Sequence, residues 1–121
     1  MVSFFGTKHV PEAPGQFELA CKGLTDLDPL LQHQVRMGIC VLLSTVARMN
    51  FSRLSKTLKA TDGNLGAQLS KLEEARYITC RKQFVNRKPV SWYSLTRSGS
   101  RAIERHLSAM ELVINSAKAG R

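Results

Sequence analysis

The feature that most constrains the fold is a pair of strand-like stretches, residues 77–85 and 90–95, in a chain that otherwise shows helical spacing. Both stretches are rich in β-branched and aromatic residues, and residues 86–89 between them have the composition of a turn. In the second stretch, Tyr93 and Leu95 share one face of the strand. One hairpin among several helices predicts a mainly α-helical, α+β domain with a small β-hairpin.

Apolar residues at helical spacing and helix-capping residues predict the remaining elements. Asp28 is suited to cap a helix N-terminus, and Pro29 suits the first helical position. Ser52 is the predicted cap of a second, short helix, and Thr61 or Asp62 is the predicted cap of a third. The four predicted helices cover residues 29–46, 53–58, 62–76 and 97–116.

The chain length fits one domain, since 121 residues with 43% hydrophobic content can bury a single core. Residues 1–26 contain several prolines and glycines without a sustained period, which predicts a partly flexible N-terminal arm. Residues 27–116 form the predicted domain, and residues 117–121 are expected to fray.

The positive charge is concentrated in one segment of the chain. Thirteen of the 18 Lys and Arg residues, but only four of the nine acids, lie between Arg48 and Arg105. This segment therefore carries the whole net charge of +9. Such a distribution favours a polyanionic partner, because each neutralised phosphate releases counterions.

The third predicted helix has a narrow apolar stripe and an unusually small, polar opposite face. Leu65, Leu69 and Leu72 form the stripe at helical spacing. A helix that enters the major groove of DNA needs short side chains for close approach, and amides or cations to reach base edges. An ordinary surface helix has a similar pattern, so this face alone does not establish the function.

The order of the elements is more specific than any one of them. Two helices joined by a tight turn, with the second helix facing outward, make a helix-turn-helix, and the basic hairpin follows as a wing. Four runs of the sequence resemble small winged-helix transcriptional regulators of the MarR and ArsR type over residues 27–109. They are LDPLL at 27–31, TDGNL at 61–65, KLEEA at 71–75 and WYSLT at 92–96.

This resemblance implies a winged helix-turn-helix that binds double-stranded DNA as a homodimer. It places dimer contacts on the first and last predicted helices, with a contribution from the N-terminal arm. The chain departs from the pattern at Arg76, where members often have a glycine that ends the helix. The departure affects the predicted helix end more than the fold.

Twelve residues are the candidate DNA contacts. Those of the third helix are expected to face the groove, those of the second to contact phosphates, and those of the hairpin to contact the backbone or the minor groove. In that order they are Gly63, Asn64, Ala67, Gln68 and Lys71; Ser55, Lys56 and Thr57; and Arg81, Lys82, Arg87 and Lys88.

Other functions are less well supported by the sequence. No cluster of His and Cys has the spacing of a zinc site, so no bound metal is predicted. The sequence also contains no catalytic motif, so neither enzymatic activity nor a cofactor is predicted. RNA binding lacks the interleaved aromatic residues that stack on bases. The main alternative is a winged-helix module that binds a protein without sequence-specific DNA binding.

The cellular setting follows from the ends and the cysteines. The N-terminus lacks the features of a signal peptide, and no apolar run is long enough to span a membrane. Cys21, Cys40 and Cys80 are widely spaced, as is typical of free thiols in the cytoplasm. The sequence does not identify a small-molecule effector, the operator or the sign of regulation.

Overall fold

The computed structural model describes residues 15–119, which form five helices, a short 3₁₀ helix and three strands. Residues 28–106 make one compact unit, and residues 15–27 with 107–119 make a second. The elements are α1 (Gly15–Asp26), a 3₁₀ turn (Pro29–Leu31), α2 (Gln34–Thr45), β1 (Met49–Asn50), α3 (Phe51–Leu58), α4 (Asp62–Glu74), β2 (Ile78–Val85), β3 (Lys88–Leu95) and α5 (Arg97–Ala119).

The core of the 28–106 unit is built from leucine and isoleucine side chains of helices α2, α3, α4 and α5, closed by the sheet. Leu31, Leu54 and Leu65 have no exposed surface. The apolar stripe predicted on the third helix is confirmed, because Leu69 and Leu72 are also buried. This packing fixes which face of α4 remains in solvent.

The three strands form an antiparallel sheet in the order β1-β3-β2. The predicted hairpin is confirmed as β2 and β3, in register from Ile78 opposite Leu95 to Val85 opposite Lys88. Its connection is shorter than predicted, since only two residues, Asn86 and Arg87, lie between the strands. The residues predicted as an extended link before α3 form the edge strand β1, which pairs with β3.

The first predicted helix is divided in two, so its prediction as one continuous helix is wrong. Asp28 caps the 3₁₀ turn, where its carboxylate accepts a hydrogen bond from the Leu30 N–H at 2.9 Å. Helix α2 then begins anew because the His33 side chain accepts hydrogen bonds from the Val35 and Arg36 N–H groups. An N-cap of this kind satisfies the free N–H groups of a first turn.

The start of α3 also differs from the prediction. Asn50 is the cap, and its side-chain oxygen accepts a hydrogen bond from the Arg53 N–H at 2.8 Å. Ser52 therefore lies inside the helix and does not cap it. Asn50 is also the last residue of β1, so the same residue ends the strand and begins the helix.

A buried polar cluster joins the beginning and the end of the 28–106 unit. The Asp28 N–H donates a hydrogen bond to His106 Nδ1 at 3.0 Å, and the Tyr77 hydroxyl donates one to the Asp28 carboxylate. His106 has no exposed surface, and burial lowers its pKa. The imidazole is therefore neutral near pH 7 and accepts this hydrogen bond. The bond links Asp28 and His106, the first and last residues of the unit.

Helix α4 ends in a motif that normally uses glycine. The Tyr77 N–H donates to the Leu72 carbonyl and the Arg76 N–H to the Glu73 carbonyl, both at 2.9 Å. This is the Schellman pattern, in which the residue after the cap has a left-handed conformation. Arg76 has that conformation, with a φ of 63°. The helix thus ends at Glu74, two residues earlier than predicted, and does so without glycine.

Replacing Arg76 by glycine is expected to raise the free energy of unfolding by about 1 kcal/mol, because glycine adopts this φ without the Cβ clash. Urea denaturation should show a higher midpoint with an unchanged slope. Ala75→Gly is the matched control, since Ala75 has an ordinary helical φ of −78° and should lose stability. Equal shifts of both variants in one direction would contradict this account of the helix end.

The second unit pairs α1 with the C-terminal part of α5. Gly23 makes close packing possible, since a Cβ there would lie 2.7 Å from Val113 Cγ2 and 2.9 Å from the Ala109 carbonyl oxygen. The segment predicted as an arm thus contains a helix of 12 residues, and the last helix extends to Ala119. Within residues 15–119, no helix is both long and apolar enough to cross a membrane.

Candidate nucleic-acid interface

The solvent-facing side of α4 consists of small and polar residues. Because Leu65, Leu69 and Leu72 anchor the opposite side in the core, this side is held in a fixed orientation. No bulky apolar side chain interrupts it. Its exposed members are Asp62, Gly63, Asn64, Ala67, Ser70, Lys71 and Glu74.

The glycines of α4 leave this side of the helix open. A Cβ added at Gly63 or Gly66 would meet no atom within 4 Å, so neither glycine is needed for packing inside the protein. Glycine in a helix interior lowers stability relative to alanine by about 0.5–1 kcal/mol. The two glycines thus lower the stability of α4 without improving its packing. Their lack of side chains makes this surface suited to close approach by a partner.

Gln68 does not share this face, and its placement toward the groove is wrong. Its side chain is only 7% exposed, and both ends of its amide are hydrogen-bonded within the protein. It accepts from Arg36 of α2 and donates to Asn64, four residues earlier on α4. This arrangement could not be predicted from the sequence, because Arg36 lies 32 positions from Gln68.

The connection between α3 and α4 is tight and internally bonded. Lys59 ends α3 in a left-handed conformation, with a φ of 53°. The Thr61 side chain caps α4 by accepting a hydrogen bond from the Asn64 N–H at 3.2 Å. The Ser55 hydroxyl lies 3.0 Å from the Ala60 carbonyl oxygen and 3.2 Å from Asp62 Oδ1. Ser55 therefore fixes this turn, which is the helix-turn-helix connection.

The other two predicted contacts on α3 lie at the surface. Lys56 and Thr57 are exposed, whereas Ser55 is half-buried in the turn. The cation of Lys56 is positioned by a short helix whose Leu54 is fully buried.

The hairpin extends beyond the core as a cationic wing. All four predicted wing residues are exposed, and they occupy the middle of β2, the turn and the start of β3. The turn residues Asn86 and Arg87 have φ values of 52° and 66°. Two successive positive φ values match the right-handed twist of a two-residue hairpin. The wing cations are Arg81, Lys82, Arg87 and Lys88.

Two features of the wing region are not evident from the sequence. Phe84 near the wing tip is 80% exposed, and the alternation of residues along the strand did not predict this exposure. The guanidinium carbon of Arg48 lies 4.1 Å from the centre of the Trp92 ring, a cation–π contact that fixes this cation beside the sheet. In the sequence, the only feature that singled out Arg48 was its place at the start of the basic segment.

The cations of this region lack acidic partners. Among the described residues the single ion pair joins Lys22 to Asp26 of α1. Every Lys and Arg of the 48–105 segment therefore has no carboxylate within 4.0 Å in that part of the chain. Cations without an internal carboxylate partner are available to an external polyanion.

Residues 15–119 offer little support for a metal site or a reactive thiol. This part of the chain contains no cluster of three or more His, Cys, Asp or Glu residues that could hold a metal ion. Cys40 is buried in α2, and burial raises its pKa to about 12. A thiol with so high a pKa is a poor nucleophile and a poor ligand.

The arrangement of an outward polar helix, a tight turn and a cationic hairpin matches a known domain family. A family model described as a winged helix DNA-binding domain matches residues 35–114, which is more than half of the chain. The chain belongs to this family. The predicted winged-helix fold is thereby confirmed, with α3 and α4 as the helix-turn-helix and β2–β3 as the wing of this winged helix domain.

Solved structures agree with this assignment. A transcriptional regulator homologue from Pyrococcus horikoshii OT3 is 27% identical, with a TM-score of 0.73 over 83% of this chain and 97% of that protein. AbsC, a MarR family transcriptional regulator from Streptomyces coelicolor, is 20% identical, with a TM-score of 0.59 over 84% of this chain and 73% of AbsC. At such identity AbsC shows a common fold. No curated protein sequence is significantly similar to the chain.

A third structure contains nucleic acid. Lactococcus lactis ZitR in complex with DNA is 20% identical, with a TM-score of 0.52. The similarity covers 71% of this chain and 57% of ZitR. This winged helix domain therefore has a fold that, in ZitR, occurs in a complex with DNA.

Proposed function

We propose that the protein is a dimeric, cytoplasmic transcriptional regulator without enzymatic activity, which reads the major groove of DNA with α4. The single observation that carries this proposal is the exposed small and polar face of α4 beside a wing of unpaired cations. Regulators with the same fold, one of them in a complex with DNA, support it. The fold alone would not decide between DNA and a protein partner.

The reading and positioning roles fall to different residues. Asn64 and Lys71 are exposed on α4 and have the donors and acceptors that base edges require. Gly63 and Ala67 permit close approach. Lys56 with Thr57 on α3, and the wing cations Arg81, Lys82, Arg87 and Lys88, contact phosphates or the minor groove. Ser55 and Gln68 contribute indirectly, through the turn and through Asn64.

Exposed apolar residues of the second unit support the dimer. Phe17 and Leu24 lie seven residues apart on α1 and are 73% and 58% exposed. Leu107 and Ile114 repeat the same spacing on α5 and are 41% and 47% exposed. Residues seven apart share a helix face, so each helix has an apolar row. We assign the dimer contacts to these rows of α1 and α5, since the apolar residues of α2 are used in the core of the other unit.

Two substitutions separate base reading from phosphate contact. Asn64→Ala is expected to lower affinity at particular base pairs by about 1–3 kcal/mol, whereas Lys88→Ala should weaken binding to all duplexes about equally. Lys88→Ala should also reduce the slope of log K against log salt by about 0.9, because one phosphate contact is lost. The measurement is a fluorescence titration of selected and random duplexes at several salt concentrations.

Lys118→Ala is the control, because Lys118 is an exposed cation outside the basic segment. It should leave both affinity and salt slope unchanged. If neither Asn64→Ala nor Lys88→Ala altered duplex binding, the roles of α4 and the wing would be wrong. Absence of duplex binding even at low salt would instead favour a protein-interaction module.

A further inference from the structure

A row of three hydrogen-bonded side chains connects the interior of the 28–106 unit to the exposed face of α4. The Arg36 Nε group donates to the Leu30 carbonyl oxygen at 2.6 Å, and Arg36 Nη1 donates to Gln68 Oε1 at 2.6 Å. Gln68 Nε2 in turn donates to Asn64 Oδ1 at 3.0 Å. The row thus begins at a guanidinium on α2 and ends at a candidate base-reading amide.

This row has only one possible direction. A guanidinium has donors and no acceptor, so the oxygen of the Gln68 amide must face Arg36. The NH₂ group of Gln68 then faces Asn64, and only the oxygen of the Asn64 amide can accept from it. The two ends of an amide are nearly equal in shape, so the charge of Arg36, rather than packing, orients both amides.

The surroundings make reversal of the row costly. Gln68 is 7% exposed, and Arg36 is half-buried. No carboxylate in the described part of the chain lies within 4.0 Å of the Arg36 guanidinium, so Gln68 Oε1 and the Leu30 carbonyl are its acceptors there. A reversed Gln68 would bring an N–H against these donors and leave buried polar groups unpaired, which is strongly unfavourable.

The free end of the row is a donor. Asn64 is exposed, and its Nδ2 group makes no hydrogen bond to residues 15–119. In the major groove, guanine presents two adjacent acceptors, N7 and O6, whereas adenine presents an acceptor and a donor. The paired contact of asparagine with adenine uses both ends of the amide. Here the oxygen already accepts from Gln68 and keeps one lone pair, whereas both N–H groups of Nδ2 lack a partner within residues 15–119.

We propose that Arg36 and Gln68 are positioning residues that fix Asn64 as a hydrogen-bond donor, so that α4 selects guanine at the base pair facing Asn64. The inference rests on the proposed function, in which α4 enters the major groove. It goes further by deriving a base preference from the direction of the hydrogen bonds between Arg36, Gln68 and Asn64. It also gives Gln68 a role, although its side chain is not on the surface.

Gln68→Glu reverses the polarity at nearly constant shape. One carboxylate oxygen still accepts from Arg36, but the other has no proton to donate and must accept from Asn64. The Asn64 amide then rotates, and its oxygen becomes the free end. The base preference should change from guanine to a base with a donor in the major groove, which is adenine or cytosine.

The test uses four duplexes that differ only at the base pair located by the Asn64→Ala variant. The unaltered protein should bind the guanine duplex about fivefold more tightly than the adenine duplex, as expected for one or two net hydrogen bonds. In Gln68→Glu the order of the two should be inverted. Ratios between duplexes are compared because a uniform effect of altered charge cancels from them.

Two substitutions of Arg36 provide an independent test, which also applies if Gln68→Glu does not fold. Arg36→Lys keeps a donor-only group and should keep the guanine preference. Arg36→Met removes the group that orients the row, so both amides can rotate, and the ratio should fall toward one. Thermal unfolding of each variant shows that the comparison is made on folded protein.

The outcomes separate this inference from the proposed function. If Asn64→Ala changes the selected site but neither Gln68→Glu nor Arg36→Met changes the base preference, the polarity row is overturned and the reading role of α4 stands. If Asn64→Ala leaves the selected site unchanged, the reading role of Asn64 fails, and the inference fails with it. An adenine preference of the unaltered protein would also overturn the row.

Discussion

Replacing Gly99 by alanine is expected to lower the free energy of unfolding by about 3 kcal/mol, near the upper end of what overpacking usually costs. A Cβ at Gly99 would lie 2.0 Å from the Tyr77 carbonyl oxygen and 2.8 Å from its carbonyl carbon. Both atoms belong to the backbone and cannot rotate away. The Tyr77 carbonyl also accepts a hydrogen bond from the Thr96 N–H at 3.0 Å, so moving it disrupts the start of α5.

Gly63→Ala is the matched control for this substitution. Gly63 is also in the first turn of a helix, but an added Cβ would meet nothing within 4 Å. This variant should be unchanged or more stable, by up to about 1 kcal/mol, because alanine is the better helix former. Urea denaturation of both variants measures the difference. Equal stabilities of the two alanine variants would show that the close approach at Gly99 relaxes without cost.

Some elements governed by local chemistry were predictable from the sequence, although the Ser52 cap and the continuous first helix were not borne out. The Thr61 cap, the leucine stripe of α4 and the hairpin depend on residues a few positions apart, and all three are found in the structure. These signals are sufficient to order the helices and strands, which defines the winged-helix fold. The charge excess of residues 48–105 was likewise evident from the sequence, and four of its thirteen cations lie on the exposed wing.

Features that depend on tertiary neighbours were not predictable. Gln68 occupies a position on the shoulder of α4, and helical geometry alone allows it to face either way. Arg36, from another helix, draws its amide inward. The close approach at Gly99 was equally unpredictable, because a glycine near a helix start does not indicate which carbonyl group packs against it. Both interactions join residues more than twenty positions apart.

The candidate interface therefore separates into a predictable and an unpredictable part. The positions of α4 and the wing in the chain follow from periodicity and charge. The direction of the Asn64 amide depends instead on the half-buried guanidinium of Arg36, which binds Gln68 and through it Asn64. Under the proposed row, the base preference would depend on Arg36, which a list of exposed residues would omit.

The exposed apolar rows of α1 and α5 lead to the second large effect. Leu107→Glu combined with Ile114→Glu is expected to raise the dissociation constant of the dimer by about 100-fold or more. A symmetric dimer presents the same surface from both subunits, so the two substitutions place four carboxylates in the interface. Each buried carboxylate without a partner is strongly unfavourable. Because both positions are exposed in the single chain, its fold should be retained.

Sedimentation equilibrium measures the dimer, and circular dichroism checks the helix content of the variant. Ser108→Glu with Asn115→Glu is the matched control, because it adds the same charge at the same spacing on the neighbouring, exposed face of α5. The control should remain dimeric, whereas the apolar-row variant should be monomeric and should bind a two-fold symmetric site far more weakly, since the two half-sites are no longer linked. If both variants stayed dimeric, the dimer contacts would have to lie elsewhere. If the unaltered protein were itself a monomer, the dimeric part of the proposed function would be wrong, while groove reading by a single α4 would still stand.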